Sequence, residues 1–198
     1  MPRSPAQNES LRAATRERLV GAALELFARE GYRETSVRRI AERAGVATGL
    51  LYAHFDGKEA LLRALFERSL ADVRRSFAIA DAADPRDRLA ALVRGAVATL
   101  RENLDFWRLG YAVRTQPGVM AALGPAMPEW TAEIVATLRG YVAELGSPDP
   151  THDAMALFAQ VDGLCQHFAL TPGAFPVDAV ADRVIARWTA TAIPSEDA

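Results

Sequence analysis

The chain has 198 residues, half of them hydrophobic, and a net charge of −2, so it can bury one large core or two small ones. A single cysteine, Cys165, excludes an internal disulfide framework and a cysteine-rich metal site. No run approaches the roughly 20 apolar residues of a membrane span, and MPRSPAQNES is not followed by the apolar stretch of a secretory leader, so a cytoplasmic protein with no membrane partner is expected.

Charge is unevenly placed. Residues 1–80 carry 14 basic against 10 acidic side chains, and residues 81–198 carry 9 against 15. A basic front and an acidic remainder fit an anionic partner for the front alone, and equally a helical surface laced with Arg and Glu. Alanine is abundant and strand-favouring residues are sparse, which predicts an all-α fold of about nine helices, short ones first.

Residues 1–11 read as a disordered polar tail. TRERLVGAALELFAREGY then spaces Leu19, Val20, Ala23, Leu24 and Phe27 at helical intervals and stops at Gly31. TSVRRIAERAG offers Thr35 or Ser36 as N-cap, Val37, Ile40, Ala41 and Ala44 as an inner face, and Gly45 as a stop. AGVATGLLYAHF follows, with a helix of barely two turns at about 47–54. A long helix begins at residue 57 and runs to about 80. Asp56 and Glu59 make a capping box for it, and Leu62, Leu65, Phe66, Leu70, Val73 and Phe77 form its apolar stripe. After a break at 81–87, with Asp84 as cap and Pro85 at the first helical position, helices are expected at about 85–104, 105–114, 117–123, 127–145, 150–169 and 177–192. The predicted division is a domain over 12–58, the linking helix 57–80, and a second domain over 81–198.

Two short helices joined by a glycine turn match the helix-turn-helix pattern, in which the second helix enters the major groove of DNA. Ile40, Val46, Leu51 and Phe55 can be its packing, which leaves Thr48, Gly49, Leu50, Tyr52, Ala53 and His54 outward. Each suits DNA. Thr48 can hydrogen-bond a base or a phosphate, and Gly49 lets the backbone come close. Leu50 offers apolar contact to thymine, while Tyr52 and His54 suit phosphate oxygens. Lys58, the one lysine among 23 basic residues, lies in the first turn of the next helix, where its charge and free backbone N–H groups make an anion site. Ser36 can donate to a phosphate, and Arg38 can reach guanine as a fork.

RETSVRRIAERAGVATGLLYAHFDGKEALL resembles the DNA-binding signature of the TetR family of bacterial transcriptional regulators. The resemblance covers residues 15–65 and rests on the ordered elements TSVRRIA, AGV, GLLY, HF and KEALL. It implies base contacts from Arg38, Thr48, Gly49 and Leu50, and phosphate contacts from Ser36, Tyr52, His54 and Lys58. Two positions depart from the family pattern: Ala47 stands where serine usually caps the helix, leaving Thr48 to substitute, and Leu50 replaces a frequent threonine.

The resemblance also implies a homodimer whose last two helices form a four-helix bundle with their mates. The sequence supports this separately. Apolar residues between Ala154 and Phe168 spread over more than one helix face, and Gly163 sits mid-helix at a cost of about 1 kcal/mol relative to alanine. Phe158, Val161, Gly163, Cys165, Val184 and Trp188 are the expected dimer contacts. Two-fold symmetry sets recognition helices roughly 34–36 Å apart and predicts a palindromic operator on double-stranded DNA.

Phe106, Trp107, Tyr111, Met120, Met127, Trp130 and Tyr141, with Asp162 to orient a ligand, are candidates for a pocket taking a small apolar or aromatic effector. Residue by residue, the same side chains suit a core. The expected function is a ligand-responsive repressor, released from its operator by a small molecule. No HExxH, GxSxG, glycine-rich phosphate loop or Cys/His spacing appears, so no enzyme, cofactor or metal is expected. The alternative is a helical protein-interaction module without sequence-specific DNA binding.

Overall fold

The computed structural model describes residues 4–78 and 84–190. The described residues form ten α-helices and no strand. In order they are α1 (Pro5–Glu30), α2 (Val37–Arg43), α3 (Thr48–Tyr52), α4 (Gly57–Ala78), α5 (Pro85–Glu102), α6 (Leu104–Arg114), α7 (Val119–Leu123), α8 (Ala126–Glu144), α9 (Pro150–Leu170) and α10 (Val177–Thr189). None is long and apolar enough to cross a membrane. Residues 1–3 of the expected tail and 79–80 of the expected linking helix lie outside the described residues.

Residues 5–11, expected in a disordered tail, are helical. Pro5 opens α1 with its φ already helical, and Ser4 and Gln7 cap each other reciprocally, the Gln7 N–H donating to Ser4 Oγ at 3.2 Å and the Ser4 N–H to Gln7 Oε1 at 3.0 Å. The signal was in SPAQ, one box upstream of the apolar periodicity. At the next boundary Ser36, not Thr35, caps α2, while Thr35 is buried and its hydroxyl donates to the Gly31 carbonyl at 2.8 Å. Asp84 and Pro85 open α5 as their order predicts.

The chain divides into two compact units, Met1–Ser69 with Leu109–Pro125, and Leu70–Arg108 with Ala126–Ala198. The sequence reading put everything beyond 80 in the second domain; the end of α6 and all of α7 cluster with the first unit instead. Val113, Val119 and Leu123 are buried. Gln116, between the two helices, accepts from the Tyr32 N–H at 2.7 Å and donates to the Phe27 carbonyl at 2.8 Å. Gly118 turns the chain at φ 86, where a β-carbon would meet Arg33 Nε at 3.0 Å.

The first unit is built around Leu19, Val20, Ala23 and Phe27 of α1, Ile40 and Ala41 of α2, Leu51 of α3, and Leu61, Leu62 and Leu65 of α4. In the second, α5, α8, α9 and α10 pack on Leu89, Val93, Val97, Leu138, Val142, Leu157, Leu164 and Ile185. Arg74 grips Glu133 with two bonds of 2.6 Å and holds that carboxyl below its usual range.

Replacing Gln116 by alanine leaves the Tyr32 N–H and the Phe27 carbonyl without their side-chain partner, and denaturant unfolding of Gln116→Ala is expected to show a loss of about 2 kcal/mol. Burial first, and then the charge of Glu59, push the Tyr32 hydroxyl up to about 12. Its contribution to stability is therefore whole below about pH 10, where the unfolded side chain ionises, and drains as pH rises toward 12. Denaturation midpoints of the wild type should accordingly fall relative to Tyr32→Phe over that window.

Candidate nucleic-acid interface

The helix-turn-helix is formed by α2, a turn and α3. Gly45, at φ 67, reverses the chain, and the Val46 N–H donates to the Ala41 carbonyl at 3.0 Å. The chain then re-enters helix at Ala47. That cap has no side-chain hydrogen bond, so Thr48 does not replace the missing serine as expected; it is simply the first helical residue. The Leu50 N–H finds the Ala47 carbonyl instead. α3 has five residues and buries Leu51 alone, with Phe55 buried just beyond it.

Of the expected base-contact residues, Gly49 and Leu50 are exposed and Thr48 is half-buried. A β-carbon at Gly49 would meet nothing within 4 Å, so nothing inside the chain requires glycine there. Arg38 is exposed and donates to Glu42 at 2.9 Å. Of the expected phosphate-contact residues, Tyr52 is 58% exposed and His54 is half-buried. Ser36 is exposed, and its oxygen accepts the Arg39 N–H at 3.3 Å, which leaves the hydroxyl hydrogen to donate outward.

Lys58 is placed differently from the expectation. Its Nζ donates to the carbonyls of Tyr32, Arg33 and Thr35 at 2.9, 3.0 and 3.3 Å, and lies 4.7 Å from the centre of the Tyr32 ring. An ammonium has three hydrogens, and here each meets a carbonyl of the loop that leads to Ser36. Glu59, expected to box with Asp56, accepts the Tyr32 hydroxyl at 3.2 Å. Tyr32 thus has its N–H on Gln116, its carbonyl on Lys58, its hydroxyl on Glu59 and its ring edge-on to Phe27. The sequence reading singled out neither Tyr32 nor this use of Gln116, because no local pattern signals a bond to a residue 84 positions away.

Several other arginines of the first unit are paired. Arg39 meets Glu30, Arg29 and Arg43 meet Glu25, and Arg68 meets Glu17. The Arg43 guanidinium holds Glu25 below the usual carboxyl range. Arg16 differs: its guanidinium lies 5.0 Å over the ring of Phe55.

The expected pocket residues fall in both units. Tyr111 and Met120 belong to the first unit, where Tyr111 is buried with Arg114 over its ring and Met120 is 49% exposed. In the second unit Phe106 and Trp107 meet edge to face at 6.0 Å, Met127, Trp130 and Asp162 are half-buried, and Tyr141 faces Arg88. A groove of about 330 Å³ between α5 and α10 contains none of them; its apolar floor of Val97, Ala98 and Ala181 is flanked by the pairs Arg94–Asp182 and Arg101–Asp178. Among the expected dimer residues, Phe158, Val161, Gly163, Val184 and Trp188 are half-buried, and Trp188 donates to Gln160 at 2.8 Å within the same chain. Cys165 is buried, and that burial pushes its thiol up to about 12. No group of three or more metal-ligating side chains occurs among the described residues.

Residues 19–65 match the family model described as bacterial regulatory proteins, tetR family, and residues 80–191 match that of the tetracyclin repressor-like C-terminal domain. The chain is 38% identical over 91 residues to the HTH-type transcriptional repressor KstR2 of Rhodococcus jostii, a match spanning 45% of either protein and so less than half of that repressor. It is 27% identical over 170 residues to the HTH-type transcriptional regulator BetI 1 of Chromohalobacter salexigens, covering 82% of this chain and 83% of that one. The solved structure of the fatty acid degradation regulator FadR from Bacillus halodurans shares the fold with a TM-score of 0.73 at 18% identity, over 96% of this chain and 97% of the other. With the helix-turn-helix and the C-terminal helices both matched, the chain belongs to the tetR family of bacterial regulatory proteins and is a DNA-binding transcriptional regulator, not an enzyme.

Proposed function

We propose that the protein acts in the cytoplasm as a homodimeric repressor, bound to a palindromic operator until a small molecule in its second unit lowers operator affinity. One observation carries the DNA reading. α3 buries a single side chain and leaves Leu50 43% and Tyr52 58% exposed. Large side chains left bare on a helix too short to stand alone mark a partner surface. In this reading Thr48, Gly49 and Leu50 reach base edges, and Arg38 exchanges Glu42 for guanine, an exposed pair that contributes little where it is. Ser36, Tyr52 and His54 hold phosphates. Lys58 we assign to positioning, since its ammonium serves the loop that presents Ser36.

The dimer reading is supported by α9, which exposes Met155, Ala156, Ala159 and Leu170. Together with the half-buried Phe158, Val161, Gly163, Val184 and Trp188 these can pair with a second copy, whereas Cys165 serves the chain's own core. The effector is an apolar or aromatic small molecule, with Phe106, Trp107, Met127, Trp130 and Asp162 as candidate walls. α4 and α6 each run from one unit into the other, so a shift of either helix is felt in both. A coupling of 1–3 kcal/mol, about 5–150-fold in affinity, is enough for a switch.

Selection of bound DNA from a random pool by the purified protein tests this reading. A two-fold symmetric motif is expected, and a folded dimer that enriches no sequence would overturn it. Gly49→Ala separates contact from folding. The added methyl meets nothing in the chain, and alanine is the better helix former by up to about 1 kcal/mol, so thermal stability should hold or rise. Operator affinity should fall roughly tenfold or more, as one misplaced group at a base contact costs 1–3 kcal/mol; unchanged affinity would remove Gly49 from the interface.

A further inference from the structure

Between Gln7 and Arg18 every side chain of α1 is exposed except the half-buried Thr15, and the buried positions start at Leu19. About a dozen residues therefore lie outside the core, roughly 18 Å of helix at 1.5 Å per residue. Helices in proteins owe most of their stability to a packed face; among the described residues this stretch has its capping box and, at its inner end, the Glu17–Arg68 pair and one contact with an aromatic ring. That contact is Arg16 over the Phe55 ring. Phe55 is buried and follows His54 directly, so the guanidinium of Arg16 is held at the end of the recognition element.

An aromatic ring positions a guanidinium without neutralising it. Arg16 therefore keeps both its full charge and its fork of N–H donors, unlike the arginines of this unit that sit on Glu17, Glu25, Glu30 or Glu42. Arg12 lies one helical turn earlier, on the same face of α1. Among the described residues no carboxylate pairs with either side chain. Thr48, Gly49, Leu50 and Tyr52, proposed to touch DNA from α3, include no Arg or Lys, so the recognition helix itself brings little positive charge. A guanidinium fork matches the geometry of a phosphate.

We propose that Arg16, with Arg12 behind it, forms a second DNA-binding element that grips backbone phosphates alongside those held by Tyr52 and His54. The proposal rests on the operator-binding reading above. α3 supplies the sequence reading and this part of α1 supplies charge. Contact to phosphate fixes register and adds affinity without adding sequence preference.

The test is the salt dependence of binding to the selected operator, measured for the full chain and for Arg16→Met and Arg16→Lys. Methionine keeps hydrocarbon over Phe55 and removes the charge; lysine keeps the charge. Each phosphate neutralised contributes about 0.9 to the slope of log affinity on log salt. With two half-sites, Arg16→Met should lower the slope by about 1.8, so that a rise from 50 to 200 mM salt costs it roughly 12-fold less affinity than wild type. Arg16→Lys should keep the slope, and the selected motif should be the same in all three. Adding Arg12→Gln to Arg16→Met should lower the slope further. An unchanged slope in Arg16→Met, whether affinity holds or falls, overturns the proposal, since a packing role changes affinity without releasing counterions. A wild-type chain that selects no DNA overturns the operator-binding reading and this one together, before any variant is compared.

Discussion

A helix of five residues cannot form alone in water, and the architecture of the first unit follows from that constraint. α3 is held from beneath by Leu51 and, just past its end, by Phe55. Ile40 and Ala41 of α2 and the apolar faces of α1 and α4 complete the floor. Because one buried side chain is enough to hold α3 when its neighbours are rigid, its other side chains are released from packing. They are then available for chemistry with an outside partner, which is what a reading helix needs.

The loop between α1 and α2 has to be rigid for the same reason, since it sets where Ser36 begins α2. Four groups from three parts of the chain fix it. Lys58 caps three of its carbonyls, Gln116 takes the Tyr32 N–H and the Phe27 carbonyl, Glu59 takes the Tyr32 hydroxyl, and the Phe27 ring meets that of Tyr32. A loop without regular structure must satisfy its backbone groups somewhere, and here side chains do it. The lone lysine is apt: a compact ammonium with three donors converges on three carbonyls, where a planar guanidinium would not fit.

Part of the charge in the first unit is paired at the surface. Arg29, Arg38, Arg39, Arg43 and Arg68 each face a glutamate, with Glu25 shared by Arg29 and Arg43. Exposed pairs of this kind contribute little stability and exchange partners readily. The second unit uses similar pairs between α5 and α10 over an apolar floor, while its core is mainly aliphatic and its cysteine buried.

Much was legible in the sequence because it is locally encoded. Helical periodicity, the Ser36 and Asp84 caps and the glycine stops at Gly31 and Gly45 depend on neighbours within a few residues. The order TSVRRIA, AGV, GLLY, HF, KEALL likewise carries the family in one contiguous stretch. The capping box at Ser4 and Gln7 was equally local and was passed over for the polar composition around it. The tertiary structure alone decided the rest. It turned Lys58 inward, placed Arg16 over Phe55, and joined α7 and the end of α6 to the first unit through Gln116. Each of these depends on residues far apart in the chain meeting in space, and composition and spacing, which register only which residues are present and at what interval, carry no record of such meetings.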